Sequence, residues 1–114
     1  MFELATYTTA ALVRKSVKNI DAGLIDTDID KYIEEAEGIL NALMGQSFVD
    51  TFLATKHGIL RAASTKWACI SALMYNPGVS ASSTEASLIA DVMWEEWTYL
   101  TGLLAVDTVV RGLE

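Results

Sequence analysis

The sequence contains few residues that form disulfides, break helices or commonly take part in catalysis. Among 114 residues there are one cysteine, one proline and one histidine. A single cysteine, Cys69, excludes a disulfide within the chain and argues against a small secreted scaffold held by such bridges. The single histidine, His57, has no second histidine or cysteine near it in sequence, so a zinc-type ligand set is missing. The single proline, Pro77, falls at a predicted helix end.

Positive charge is also scarce. The chain has eight lysines and arginines, scattered along its length, and 15 aspartates and glutamates, which gives a net charge of −7. This balance argues against a protein that wraps nucleic acid by neutralising phosphates. No apolar run approaches the roughly 18 residues needed to span a membrane, and the start "MFELATYTTAALVRKSV" lacks the pattern of a signal peptide. We expect an intracellular protein with no membrane contact.

Hydrophobic residues, in contrast, make up 52% of the chain, and they recur with helical periodicity. The pattern predicts an all-α fold, a compact bundle of about four helices in a single domain over residues 1–105. The first helix is predicted at about 9–18, capped by Thr8 or Thr9. The second begins near the aspartates at 26–30 and stops at Gly45.

The second half of the chain contains the two longer helices. After a crossing loop at 46–56 with modest strand character, the third helix is predicted at about 58–75, ending at "NPG". The fourth starts with a capping box, Ser82 and Glu85, and frays near 105. Its apolar residues, including Leu88 and Val92, are predicted to face the core. Residues 106–114 are predicted to form an extended carboxyl-terminal tail.

The stretch "IDTDIDK", residues 25–31, raises the question of a calcium loop. An acidic residue, Glu37, falls at the twelfth position from Asp26, as such a loop requires. However, the sixth position needs a glycine for its sharp turn and is occupied by Lys31. The aspartates therefore favour a helix start capped by Thr27 or Asp28, where the helix dipole stabilises negative charge.

Candidate reactive residues have simpler explanations. We expect His57 to be solvated at a helix entry, and Cys69 to act as a small hydrophobe inside an apolar helix. Glu34, Glu35 and Glu37 should be solvated charges, because nothing in the pattern buries two carboxyls together. No glycine-rich phosphate loop or nucleophile elbow occurs. The sequence therefore predicts no catalytic, cofactor-binding or metal-binding residues, and no enzyme activity.

Surface features are more informative. Trp94 falls opposite the predicted apolar arc, so it is either packed under a loop or presented to a partner. Glu96 points into that arc and must reach water, pair with Arg61 or Lys66, or belong to a contact between subunits. The apolar tail either packs on its own core or reaches a neighbouring chain. The candidate interface residues are Phe48, Phe52, Trp94, Glu96, Val106, Val109, Val110 and Arg111.

The helical layout resembles a known family. Its segments are the acid-flanked "DTDIDKYIEEAEGILNALMG", the alanine-rich "ILRAASTKWACISALMYNPG" and the long "STEASLIADVMWEEWTYLTGLL". Together they resemble the small α-helical head–tail connector proteins of tailed bacteriophages, also called adaptor or head-completion proteins. The resemblance covers almost the whole chain but includes no catalytic signature.

The resemblance implies a structural role. Such proteins form a homo-oligomeric ring, commonly of twelve subunits, below the portal protein in the virion neck, after assembly in the host cytoplasm. The ring extends the DNA channel and docks the tail or stopper protein, and DNA passes through without specific binding. An acidic wall is compatible with such passage. By position, the crossing loop and the tail at 106–114 are the implied contact segments.

Two alternatives stay open. One is a small intracellular helical regulator or protein-interaction module without catalytic activity. A helix-turn-helix is disfavoured within it, because about eight residues join the third and fourth helices and neither carries a basic reading face. The other is an enzyme subunit that completes its site with another chain, which no residue pattern supports.

Overall fold

The computed structural model describes residues 7–17, 23–75 and 83–114. Within them the chain forms five helices and no strand, which confirms the predicted all-α bundle. In chain order the helices are α1 (Ala10–Ser16), α2 (Asp26–Met44), α3 (Gly58–Tyr75), α4 (Ser83–Leu104) and α5 (Asp107–Leu113).

Helix ends follow local chemistry. The Thr9 hydroxyl accepts a hydrogen bond from the Leu12 amide (3.3 Å) and caps α1, as predicted. Gly45 ends α2 in the left-handed conformation with φ of 73°, which a residue with a side chain rarely adopts. The predicted cap of α2 is wrong: the helix begins at Asp26, and Ile25 occupies the cap position without a side-chain hydrogen bond.

Helix α3 lies at the centre and packs against α1, α2 and α4. Its buried Ala63, Ala68 and Ala72 allow neighbouring helices to approach closely. The core has two parts. One gathers α1 and the start of α2 around the second half of α3, with Ala90 of α4. The other gathers Tyr7, the end of α2, the crossing loop and α5 around the first half of α3.

The carboxyl end differs from the prediction. Residues 106–114 do not form an extended tail, because Asp107–Leu113 is helical and follows α4 after a turn at Ala105 and Val106. Val110 and Leu113, three residues apart, share one face and are buried in the second part of the core. Burial of that face outweighs the β preference of the valines that suggested an extended chain.

The crossing loop was predicted to have modest strand character, but it consists of turns and irregular chain. The predicted capping residue Ser82 and the stop at Pro77 lie outside the described residues, whereas the first helix ends at Ser16, two residues before the predicted end near Lys18. In the three described ranges, no helix is both long and apolar enough to cross a membrane.

Candidate functional site

His57 is a structural residue. It is buried, and its Nδ1 accepts a hydrogen bond from the Leu53 amide (2.9 Å), so the ring proton is on Nε2, which donates to the Leu113 carbonyl (2.7 Å). This corrects the expectation of a solvated side chain at a helix entry. The ring ties the crossing loop to the end of α5, and both nitrogens are already used.

Glu37 is likewise used internally. Its carboxylate is buried and accepts a hydrogen bond from the Tyr7 amide (2.7 Å), which corrects the expectation of a solvated charge. The Tyr7 hydroxyl donates to the Asn41 side chain (2.6 Å) and accepts from the Phe48 amide (2.9 Å). Burial raises the pKa of the Tyr7 phenol. Tyr7 therefore anchors the segment before α1 to α2 and the crossing loop.

Cys69 is buried in α3, as predicted, with its sulfur 3.8 Å from the Val13 carbonyl oxygen. Burial raises the pKa of the thiol to about 11. The thiolate, which is the nucleophilic form, is therefore rare near neutral pH.

The aspartates of "IDTDIDK" lie on the first turns of α2, which confirms the helix-start interpretation over a loop. Arg14 Nε lies 2.8 Å from Asp26 Oδ1 in an exposed ion pair. Burial, together with the nearby Asp26 charge, raises the pKa of Asp30. Across residues 7–17, 23–75 and 83–114, no three acidic, histidine or cysteine side chains are grouped to hold a metal ion.

An open groove of about 500 Å³ separates the crossing loop from the carboxyl end of the chain. The Gln46 amide donates to the Glu114 carboxylate (3.1 Å) at its edge. His57 also lines it, but with both ring nitrogens bonded it supplies neither a base nor a metal ligand to this groove.

The predicted interface residues of the loop and tail differ in their exposure to solvent. Phe48 and Val110 are buried in the protein's own core, which corrects their assignment to a contact with a partner. Phe52 is half-buried under the Arg61 guanidinium, 5.3 Å from its ring centre. On the tail, Val106 is exposed, Val109 is half-buried, and Arg111 pairs with Asp107 (2.8 Å) in solvent.

The two predicted interface residues of α4 remain on the surface. Glu96 pairs with Lys66 (3.3 Å), one of the partners expected from its position. Trp94 is 50% exposed, and its ring lies 6.3 Å from that of Trp67. Trp94 therefore rests on one aromatic neighbour and presents its other side to solvent.

A further apolar surface on α4 was missed by the sequence analysis. Leu88, Val92 and Tyr99 follow one line of the helix and are 62%, 58% and 67% exposed. The buried line is instead Ala90, Trp97 and Leu104, spaced seven residues apart. We call the line of Leu88, Val92 and Tyr99 the α4 face. The seven-residue spacing was the signal in the sequence, but the small Ala90 made it weak.

The α4 face has a definite shape and charge. Leu88, Ile89, Val92, Met93 and Glu96 line a shallow depression of about 300 Å³. The helix carries four acidic residues and no lysine or arginine. Of these acids, Asp91 and Glu95 are exposed beside the depression, and neither has an ion-pair partner among the described residues. The surface is therefore apolar with an acidic border.

Comparisons of the chain with protein-family models, curated proteins and solved structures gave no match. The resemblance to phage connectors accordingly stays a prediction, and the α4 face is the surface on which a proposal can rest.

Proposed function

We propose that this protein is a non-catalytic structural subunit that assembles with copies of itself and with other proteins, as a head–tail connector (adaptor) of a tailed bacteriophage. The observation that carries the proposal is the α4 face, an exposed apolar line on a helix whose opposite side already supplies the core. Isolated exposed apolar residues are common on proteins, but several of them grouped on one side of a helix are typical of an interaction surface.

The groups that catalysis would use support the same proposal. His57 holds the loop to α5, Glu37 binds the Tyr7 amide, and Cys69 is buried with a raised pKa. Each is bound within the fold by a neighbour that would have to move before the group met a substrate. Function on this proposal comes from surfaces and not from a reactive side chain.

As a connector subunit the protein would form a ring below the portal protein, commonly of twelve copies, and present a docking surface to the tail or stopper protein. The net charge of −7 suits a channel wall past which DNA slides, because negative surfaces repel the phosphate backbone. Burying apolar side chains such as Leu88 and Val92 between copies is favourable by about 1.5–3 kcal/mol for each complete burial. Their partial exposure limits the gain to a fraction of that value.

The test is direct imaging of assembly. Purified protein is examined by negative-stain microscopy and mass determination over a range of concentrations, alone and with the portal protein encoded in the same genome. We expect closed rings, formed at high protein concentration or on the portal. A protein that stays monomeric at several hundred micromolar, with and without the portal, overturns the connector proposal and favours the interaction-module alternative.

A further inference from the structure

We propose that the α4 face is occupied by the crossing loop of a second copy, with Leu53 seated in the depression and Lys56 facing Asp91 and Glu95. This inference rests on the proposed function, because it names the contact through which the copies assemble.

Charge excludes the simplest alternative, a symmetric pairing of two α4 faces. Such a contact would bring Asp91 and Glu95 of both copies together. In the described part of the chain neither has an ion-pair partner, whereas Glu96 is already paired with Lys66. Like charges placed opposite each other across an interface are destabilising. The α4 face therefore fits a partner that is apolar at its centre and basic at its edge.

The crossing loop has that composition. Leu53 is 57% exposed, and Lys56, three residues later, is exposed with no carboxylate within ion-pair distance in the described part of the chain. Among the described residues, no other large exposed apolar side chain lies within three positions of a lysine or arginine that has no ion pair. The loop thus supplies an apolar knob and a cation side by side.

The loop is also held in place before it binds. The Leu53 amide donates to His57 Nδ1 (2.9 Å), and the His57 amide donates to the Leu53 carbonyl (2.7 Å). Because the backbone of Leu53 is fixed at both polar groups, little conformational entropy is lost when its side chain enters a pocket.

The two surfaces lie beside different parts of α3. The crossing loop leads into the start of α3, whereas Met93, which lines the depression, packs against the core part around the second half of α3. Leu53 and Leu88 both remain exposed in the single chain, so one copy does not fill its own depression with its own loop. The contact is therefore head to tail, and repeated contacts of this kind close into a ring or continue as a filament. Each contact is small, so the assembly gains stability when every copy makes two of them.

Cysteine pairing tests the geometry. Leu53→Cys and Val92→Cys are introduced together, and assembled protein is oxidised with copper phenanthroline and separated without reductant. We expect a ladder of crosslinked multimers from the double variant, and a single dimer band from a mixture of the two single variants. Leu43→Cys with Val92→Cys is the matched control, because Leu43 is exposed but lies on α2, and it should give no ladder. Native Cys69 is buried and stays silent.

Charge reversal tests the recognition. We expect Lys56→Glu and Glu95→Lys, separately, to raise the concentration for half-assembly about five- to tenfold, and the double reversal to restore it. Lys15→Glu, on the surface of α1, is the control and should change it less than twofold.

The outcomes separate the two proposals. If the wild-type protein forms rings but these variants behave as it does, or Val92→Cys alone crosslinks to itself, the loop is not the occupant and the inference fails while the connector proposal stands. If the wild-type protein forms no assembly with or without the portal, the connector proposal fails and this inference fails with it.

Discussion

At the scale of single residues, the buried polar side chains of Glu37 and His57 hold segments of the fold together by hydrogen bonds. His57 joins the crossing loop to the end of α5, since its ring bridges the Leu53 amide and the Leu113 carbonyl. Phe48 and Phe52 pack their rings 5.2 Å and 5.8 Å from that of His57, so two aromatic rings flank the buried bridge. Hydrogen bonds in such surroundings are costly to lose, because the remaining partners are left unsatisfied.

The substitution His57→Ala is therefore expected to lower the free energy of unfolding by about 2–4 kcal/mol, through a cavity and two buried polar groups without partners. Urea denaturation followed by circular dichroism measures the change. Lys56→Ala, one residue earlier and exposed, is the control and should stay within about 0.5 kcal/mol of the wild type. A loss of less than 1 kcal/mol for His57→Ala would mean that water replaces the bridge.

The raised pKa of Cys69 predicts how the stability of the fold depends on pH. Its pKa is about 11 in the fold against an ordinary value of 9.0, so above pH 9 the unfolded chain loses the proton first. Deprotonation then favours the unfolded state, and stability falls as the pH rises from 9 to 11, by about 2 kcal/mol at the upper end. Cys69→Ala removes this contribution. The difference in unfolding free energy between wild type and variant should narrow over that interval, and a constant difference would refute the assignment.

At the scale of the elements, α2 and α3 were predictable because their signals are strong and local. The predicted span of α3, residues 58–75, matches the structure, and Gly45 ends α2 as expected. The sequence predicted where α4 lies along the chain but assigned exposed residues, Leu88 and Val92, to the face that packs on the core. A wide arc of Leu, Ile, Val and Met fits several orientations, and the burial of Ala90, Trp97 and Leu104 in the core decides between them.

The candidate site was predictable only in part, for the same reason. Trp94 and Glu96 emerged from the sequence because each breaks the helical pattern, and both are on the surface. Leu88 and Val92 conform to an apolar stripe, so nothing in the sequence alone distinguishes them from core residues. Phe48 and Val110 failed as interface candidates because their burial depends on contacts distant in sequence, with α3 and with Tyr7.

Helix α5 is part of the folded body, so its valines should contribute unequally. Val110 is buried, whereas Val106 is 46% exposed at the turn before the helix. We expect Val110→Ala to lower the free energy of unfolding by about 1–2 kcal/mol, and Val106→Ala to change it by less than about 0.5 kcal/mol. Thermal and urea melts of the two variants make the comparison. Equal effects would indicate that α5 does not pack as described.

At the scale of the whole molecule, charge acts in two opposite ways. Each copy carries −7 within a body of 42 × 33 × 22 Å, so neighbouring copies repel each other over distances comparable to their own size. At about 10 mM salt the screening length is about 30 Å and this repulsion is felt in full; at 150 mM it is about 8 Å, and only adjacent charges such as Lys56 and Glu95 still interact.

Assembly should therefore strengthen as salt rises from 10 to 150 mM, because long-range repulsion is screened while the apolar contact and the close ion pair persist. Sedimentation velocity at fixed protein concentration measures the fraction assembled. Exchanging the charges at positions 56 and 95 leaves the net charge at −7, so that variant should follow the wild-type salt curve. Glu95→Lys alone changes the net charge from −7 to −5 and reduces the global repulsion, yet it should assemble less well at 150 mM, because it places two cations against each other. If this variant instead assembles better than the wild type at every salt concentration, global charge and not the local contact governs association.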